Sequence, residues 1–175
     1  MRISHLRRMG LTAILALALL GLSQSAGAGT PDLTITSTQP TVTPGQTVNL
    51  SMTFTNNRTT DVWFVYQSLQ PTWQTTQRPD LKYSIASCTA SGVTCTGAGT
   101  TSIGVQYAVP VAPGTSRTVT LDVQIAADSG CNGSIGFYTY LYYEYNDSQS
   151  HKDGTFFSPT TRVNCATAAP ADTHA

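Results

Sequence analysis

The stretch Pro44 to Asn57, PGQTVNLSMTFTNN, constrains the fold more than any other part of the chain. A Pro-Gly turn opens it, and Val48, Leu50, Met52 and Phe54 then alternate with Thr47, Asn49, Ser51 and Thr53. A period of two sends successive side chains to opposite faces, one for a core and one for water, which is a half-buried β-strand. Asn56-Asn57 closes the run with residues that turn easily. The design recurs after Pro113-Gly114, where Val119, Leu121, Val123 and Ile125 alternate with Thr118, Thr120, Asp122 and Gln124. Two strands matched in this way are partners for one antiparallel sheet.

Other segments follow the same rule. Asp32 to Thr38 places Leu33 and Ile35 inward, and the two prolines of Gln39 to Gly45 mark an edge strand that switches sheets or stops pairing. Asp61 to Ser68 is apolar on both faces, as in a central strand covered on both sides or a strand with a surface patch, and a Trp there (Trp63) reads more readily as core than as binding site. Leu69 to Asp80 has no period and reads as an irregular loop carrying Trp73. Leu81 to Ser87 is a strand, Cys88 to Thr96 a hairpin turning at Ser91-Gly92, and Ile103 to Val109 a strand with Val109 inward. Ser134 to Tyr145, SIGFYTYLYYEY, is a single aromatic strand, Asn146 to Gly154 a polar loop, and Thr155 to Cys165 a last strand with a change of partner at Pro159. No useful helical segment appears. Short strands between Gly, Pro and Asn turns predict an all-β fold, an immunoglobulin-like antiparallel β-sandwich of about 7–9 strands.

The N-terminus has a different character. Arg2, Arg7 and Arg8 precede an apolar run from Leu11 to Leu22, and Ala26-Gly27-Ala28 supplies small residues for cleavage. That is the layout of a signal peptide over residues 1–28, and the run is too short to span the ~30 Å hydrocarbon core of a bilayer. The residues after Arg7-Arg8 fit a twin-arginine signal poorly, so ordinary secretion is expected, into the periplasm or the medium. The expected organisation is a signal peptide over 1–28, one sandwich domain over 29–165 and a disordered tail over 166–175, with no stable membrane insertion once the signal is removed.

After residue 28 the chain keeps Arg58, Arg78, Lys82, Arg117, Lys152 and Arg162 against nine acids, a formal net charge of −3. A chain with no basic surplus has little with which to hold nucleic acid. All four cysteines, Cys88, Cys95, Cys131 and Cys165, fall in the exported part, where an even count reads as disulfides with three pairings open. Cys88–Cys95 across the hairpin and Cys131–Cys165 between late strands are the preferred pairs. A four-Cys zinc site lacks its C-x-x-C spacing.

DLTITSTQPTVTPGQTVNLSMTFTNN, CTASGVTC and VAPGTSRTVTLDVQIA, in that order, resemble the immunoglobulin-like "conserved repeat" domain of bacterial surface and secreted proteins, over roughly Asp32 to Asn164. The resemblance implies a structural spacer or adhesive role without catalysis. This chain carries a single copy, and its next-to-last strand is unusually rich in tyrosine.

The search for catalytic groups agrees with that expectation. Only His151 and His174 follow the signal, and Asp147, His151 and Asp153 sit together on a predicted polar loop without EF-hand spacing. Neither enzyme chemistry nor a metal or other cofactor is expected. The aromatic strand gives the candidate ligand-binding residues instead: with Ile135, Phe137 and Leu141 inward, Tyr138, Tyr140 and Tyr142 form a row on the other face, about 7 Å apart, which Trp63 or Trp73 could extend. Such a row stabilises a sheet as a cross-strand ladder, binds sugar rings, or docks a protein. The reading is a secreted, non-catalytic domain with a structural or protein-interaction role; the alternative is a carbohydrate-binding module acting on a cell-surface glycan.

Overall fold

The computed structural model describes residues 32–166. In chain order these form β1 (Leu33–Ser37), β2 (Thr41–Val42), β3 (Thr47–Thr55), β4 (Trp63–Pro71), α1 (Trp73–Thr76), β5 (Tyr83–Thr89) and β6 (Val93–Thr96). There follow β7 (Ile103–Tyr107), β8 (Ser116–Ile125), β9 (Gly133–Ile135), β10 (Phe137–Tyr145), β11 (Ser150–Phe157) and β12 (Thr161–Val163). The proposed signal peptide and nearly all of the tail lie outside the described residues.

The two alternating strands pair with each other in register. Val48, Leu50 and Met52 of β3 stand opposite Val123, Leu121 and Val119 of β8, and all six are buried. On the outer side of the same pairs Thr53 meets Thr118 at 2.9 Å, and Asn49 donates to Asp122 at 2.6 Å. One sheet has the order β1-β3-β8-β5; the second, β11-β10-β4-β7-β6, packs its apolar side against it. This is the β-sandwich expected from the alternation. A third, small sheet, β2-β12-β9, contains the parallel pair β2–β12. There the two-proline kink does switch sheets: β1 pairs with β3, and two residues after Gln39 the chain pairs with β12.

Both disulfides form the preferred pairs, with Cα–Cα distances of 6.1 Å for Cys88–Cys95 and 5.0 Å for Cys131–Cys165. Cys131 precedes β9 and Cys165 follows β12, so that bridge clamps the end of an antiparallel pair. The other bridge differs from expectation. β5 and β6 turn at Ser91-Gly92, but β5 pairs with β8 and β6 with β7. Cys88–Cys95 therefore joins the two sheets of the sandwich instead of closing a ladder within one.

Several local expectations are corrected. β4 runs on to Pro71 and is followed by a single helical turn, where an irregular loop was expected. Val109 lies beyond the end of β7 and is exposed. Ser134 to Tyr145 is two strands, because the chain leaves the small sheet at Gly136 and enters the large one at Phe137. The polar loop shrinks to a turn: Asn146, Asp147 and Ser148 take left-handed backbone (φ 53°, 51° and 63°), and β11 begins at Ser150. Asn and Asp tolerate that region better than most residues, which lets a four-residue turn join long strands.

The inner faces also hold polar groups, each with a partner. The buried Gln67 amide donates to Thr139 Oγ1 at 3.2 Å and accepts from the Tyr107 hydroxyl. At the sandwich margin the Tyr143 hydroxyl donates to Asp32 Oδ2 (2.7 Å) and accepts from Arg58 (2.8 Å), while Lys152 Nζ reaches the same carboxylate at 2.5 Å. The Arg58 guanidinium also lies 3.9 Å from the centroid of the Tyr145 ring. Burial pushes the Asp32 carboxyl up, but the hydrogen bonds from Lys152 and Tyr143 and the two neighbouring cations outweigh it and hold it below its ordinary value. Burial pushes the Tyr143 hydroxyl up to about 12.

Two outcomes are expected. Leu121→Ala, at a fully buried position facing Leu50, should lower the unfolding free energy by about 2–5 kcal/mol in urea titration; a loss within experimental error would show that this pairing is not central. Because the folded Asp32 pKa is depressed, its stabilisation is present above the unfolded value and is lost as pH falls through the folded one. Urea midpoints should therefore decline from about pH 5 downward, and Asp32→Asn should flatten that decline; an unchanged acid limb would contradict it.

Candidate functional site

β10 lies between β4 and β11, and the register fixes what stands on the outer face of these three strands. Tyr138, Tyr140, Tyr142 and Glu144 face outward, opposite Gln70, Ser68, Tyr66 and Trp63 on β4. On the other side they stand opposite Phe157, Thr155, Asp153 and His151. The inward partners, Phe137, Thr139, Leu141 and Tyr143, are buried, so the alternation read from the sequence holds along the whole strand.

A bulge on β4 decides the rest. Tyr142 pairs with Tyr66 and Tyr143 with Phe64, leaving Val65 as an extra residue. Without it, strict alternation from Tyr66 would put Phe64 outside and Trp63 inside. With it, Phe64 packs edge-on against Phe54 at 4.8 Å, and Trp63 faces solvent. The expectation that Trp63 is a core residue is thus corrected by one residue of register. Trp63 is 48% exposed, Val65 58%, Tyr66 50% and Phe157 66%.

The tyrosine row is partly covered by its own neighbours. Tyr66 and Tyr140 rings lie 6.0 Å apart, Tyr138 and Phe157 6.1 Å, and Tyr142 and the His151 imidazole 5.6 Å. Tyr138 donates its hydroxyl proton to Gln70 Oε1 (2.8 Å) and Tyr140 to Asp153 Oδ2 (3.0 Å). That bond to Asp153 raises the Tyr140 pKa. The row and its neighbouring rings thus form an aromatic platform on this face, with the hydroxyls of Tyr138 and Tyr140 fixed. The outward positions of β4, β10 and β11 carry Glu144, Asp153 and His151 but neither Lys nor Arg.

Trp73 stands beyond the Gln70 end of the platform, on α1, and is 75% exposed. Its mount is firm. Thr72 caps the turn, accepting from the Thr75 backbone N–H, and its own N–H donates to Gly136 O at 2.9 Å. The buried Thr75 Oγ1 accepts from Gly136 N–H at 2.8 Å and lies 2.9 Å from Gly136 O. Trp73 is thereby tied to the β9–β10 junction. With Tyr138, Gln70, Pro71, Thr76 and Ser102 it lines a depression of about 430 Å³.

His151, expected on a loop, belongs to β11 and lies against Tyr142, while Asp153 is bound to Tyr140 and Asp147 sits in the turn. Among the described residues no three His, Cys, Asp or Glu side chains converge as a metal site would require. Of the predicted site residues, Tyr138, Tyr140 and Tyr142 share the outer face of one sheet, and Trp73, on α1, lines a depression with Tyr138 at the end of that row. Sequence reasoning missed Tyr66 and Phe157. The adjacent pair Phe156-Phe157 in a strand did carry a signal, since one of two neighbours must face out.

No protein-family model matches the sequence, nor does any curated protein. Among solved structures, the chain is similar to the third ScaC cohesin of Acetivibrio cellulolyticus, solved in complex with the ScaB dockerin, at 14% identity and a TM-score of 0.52, over 75% of this chain and 99% of that one. The seventh ScaB type I cohesin of Pseudobacteroides cellulosolvens aligns at 9% identity and a TM-score of 0.51, over 82% and 97% of the two chains. A cohesin module from the family 33 glycoside hydrolase of Clostridium perfringens aligns at 9% and 0.51, over 77% and 97%. At these identities the likeness shows a shared β-sandwich fold.

The mount of Trp73 can be tested directly. Thr75→Val removes both contacts to Gly136 and should cost about 1–3 kcal/mol of stability. In a Trp63→Phe background, where Trp73 is the remaining tryptophan, it should also lower the fluorescence anisotropy. Unchanged anisotropy would show that the turn holds its shape without Thr75.

Proposed function

We propose that this chain is an exported, non-catalytic adhesive module that docks a protein partner on the outer face of its five-stranded sheet. The observation that carries the reading is the concentration of exposed aromatic side chains there, Trp63, Tyr66 and Phe157 around the tyrosine row, on a face poor in charge. Tryptophan and tyrosine supply large, stiff contact area at small entropic cost and dominate binding energy where they occur. Isolated exposed apolar residues are ordinary, but a contiguous patch marks an interaction surface. Support also comes from the resemblance to bacterial "conserved repeat" domains and from the similar cohesin solved with a dockerin, a protein partner. Export rests on the N-terminal pattern and agrees with four cysteines paired in two disulfides.

A carbohydrate-binding module is the second reading. It is favoured by the fixed hydroxyls of Tyr138 and Tyr140 and by the Trp73 depression, which give the platform polar groups beside its rings.

The test is retention of the purified protein on cell-envelope material and insoluble polysaccharides, beside a Trp63→Ala/Tyr66→Ala/Phe157→Ala variant, all three at exposed positions. The variant should bind about tenfold or more weakly and keep nearly the parent Tm, since exposed positions contribute little to stability. Retention abolished by protease treatment of the envelope supports the protein reading, and retention that survives it supports the glycan reading. A variant retained as well as the parent would overturn both.

A further inference from the structure

The Trp73 depression carries more information than the platform beside it, because its lining specifies a chemistry. We propose that it is a subsite for one neutral hexopyranose unit of a glycan whose neighbouring units lie along the tyrosine row. The inference rests on the second reading above and names its ligand.

The lining comprises one exposed indole, one proline, one tyrosine ring and the polar groups of Gln70, Thr76 and Ser102. A pyranose has a C–H face and a rim of hydroxyls. The C–H face stacks on the electron-rich face of an indole, where the ring quadrupole attracts the partial positive charge of those hydrogens. The rim requires donors and acceptors around the ring. Gln70 Oε1 accepts from Tyr138, and its amide nitrogen makes only a long 3.5 Å contact to Ser68 Oγ, leaving donor capacity. Thr76 Oγ1 donates to Trp73 O at 2.7 Å and retains its lone pairs as acceptors. Ser102 Oγ makes no hydrogen bond among the described residues. The volume, about 430 Å³, lies within the ~300–1,000 Å³ of small-molecule sites.

The same lining argues against other occupants. It contains no Lys, Arg or His to neutralise a phosphate, sulfate or uronate, and no Asp or Glu to hold a cation. A purely apolar ligand would cover the Gln70 amide and the Ser102 hydroxyl without offering either a hydrogen-bond partner. The mount of the α1 turn on Gly136 through Thr72 and Thr75 sets the backbone from which Trp73 projects before binding, which reduces the ordering cost. Tyr138 belongs both to the depression and to the row, so a chain seated at Trp73 continues onto Tyr140 and Tyr66 without changing face.

The test uses the purified full-length protein, with soluble neutral hexasaccharides of glucose, mannose, galactose and N-acetylglucosamine as probes and a hexagalacturonate as the anionic comparison. In the Trp63→Phe background the emission comes from Trp73, and at least one neutral probe should shift it to the blue and quench it saturably, while the hexagalacturonate does not. Trp73→Ala should weaken binding of that probe about tenfold or more by calorimetry, and Gln70→Ala should weaken it several-fold with the Tm unchanged. No response to any neutral probe up to about 10 mM, an equal response to the anionic probe, or unchanged affinity in Trp73→Ala would overturn the proposal. If envelope retention persists in Trp73→Ala and is lost with the platform variant, the subsite fails while the adhesive module stands. Loss of neither would remove both.

Discussion

The pairing of β3 with β8 is the constraint on which the remainder depends. Each strand offers four apolar residues at every second position, and antiparallel pairing sets three from each opposite one another, so that one surface is largely hydrocarbon and the other carries Thr, Asn and Asp hydrogen bonds. A shift of one residue would turn every apolar side chain to water, so burial of that face specifies the register strongly. The sheet built on this pair then requires a second layer to cover it. The second layer must be apolar on its inner side, while its outer side is free to differ. In this chain that free side is where the aromatic residues accumulate.

The cross-links act on the same two-layer plan. The Cys131–Cys165 bridge holds the end of a small sheet that has few residues of its own, and Cys88–Cys95 joins the layers at one edge. At another margin the Asp32, Arg58, Tyr143 and Lys152 cluster links β1 to β10 and β11 through one carboxylate, with the Tyr143 ring in the core and its hydroxyl at the rim. A sandwich of modest size thus gains layer-to-layer connections that do not rely on hydrophobic contact alone.

Much of this was legible in the sequence. Long amphipathic strands such as β3, β8 and β10 announce themselves, because alternation over eight or nine residues has no competing explanation. Short elements do not: β2, β9 and β12 hold two or three residues each, and their pairing is set by chain path. The helical turn at Trp73 was hidden because its anchor, Thr75 on Gly136, joins residues 61 apart in the chain. Hairpin logic also misread Cys88 to Thr96, where a tight turn joins strands of different layers; local sequence cannot report that the second strand finds its partner in β7. At the candidate site Tyr138, Tyr140 and Tyr142 were found by period alone. Trp63 was misplaced because a bulge leaves no mark in composition.

That bulge has a consequence for how such a surface changes between relatives. Substitution alters one ring at a time, whereas the place at which a strand bulges alters which rings are shown. Removing Val65 would restore plain alternation with Phe64 still inward and Trp63 still outward, whereas pairing Val65 into the ladder would exchange their places, withdrawing the indole and presenting a phenyl ring. The display on this face is therefore encoded partly by where β4 carries its bulge, and a shift of that bulge is a route by which one scaffold could present different rings to a partner without any change of residue.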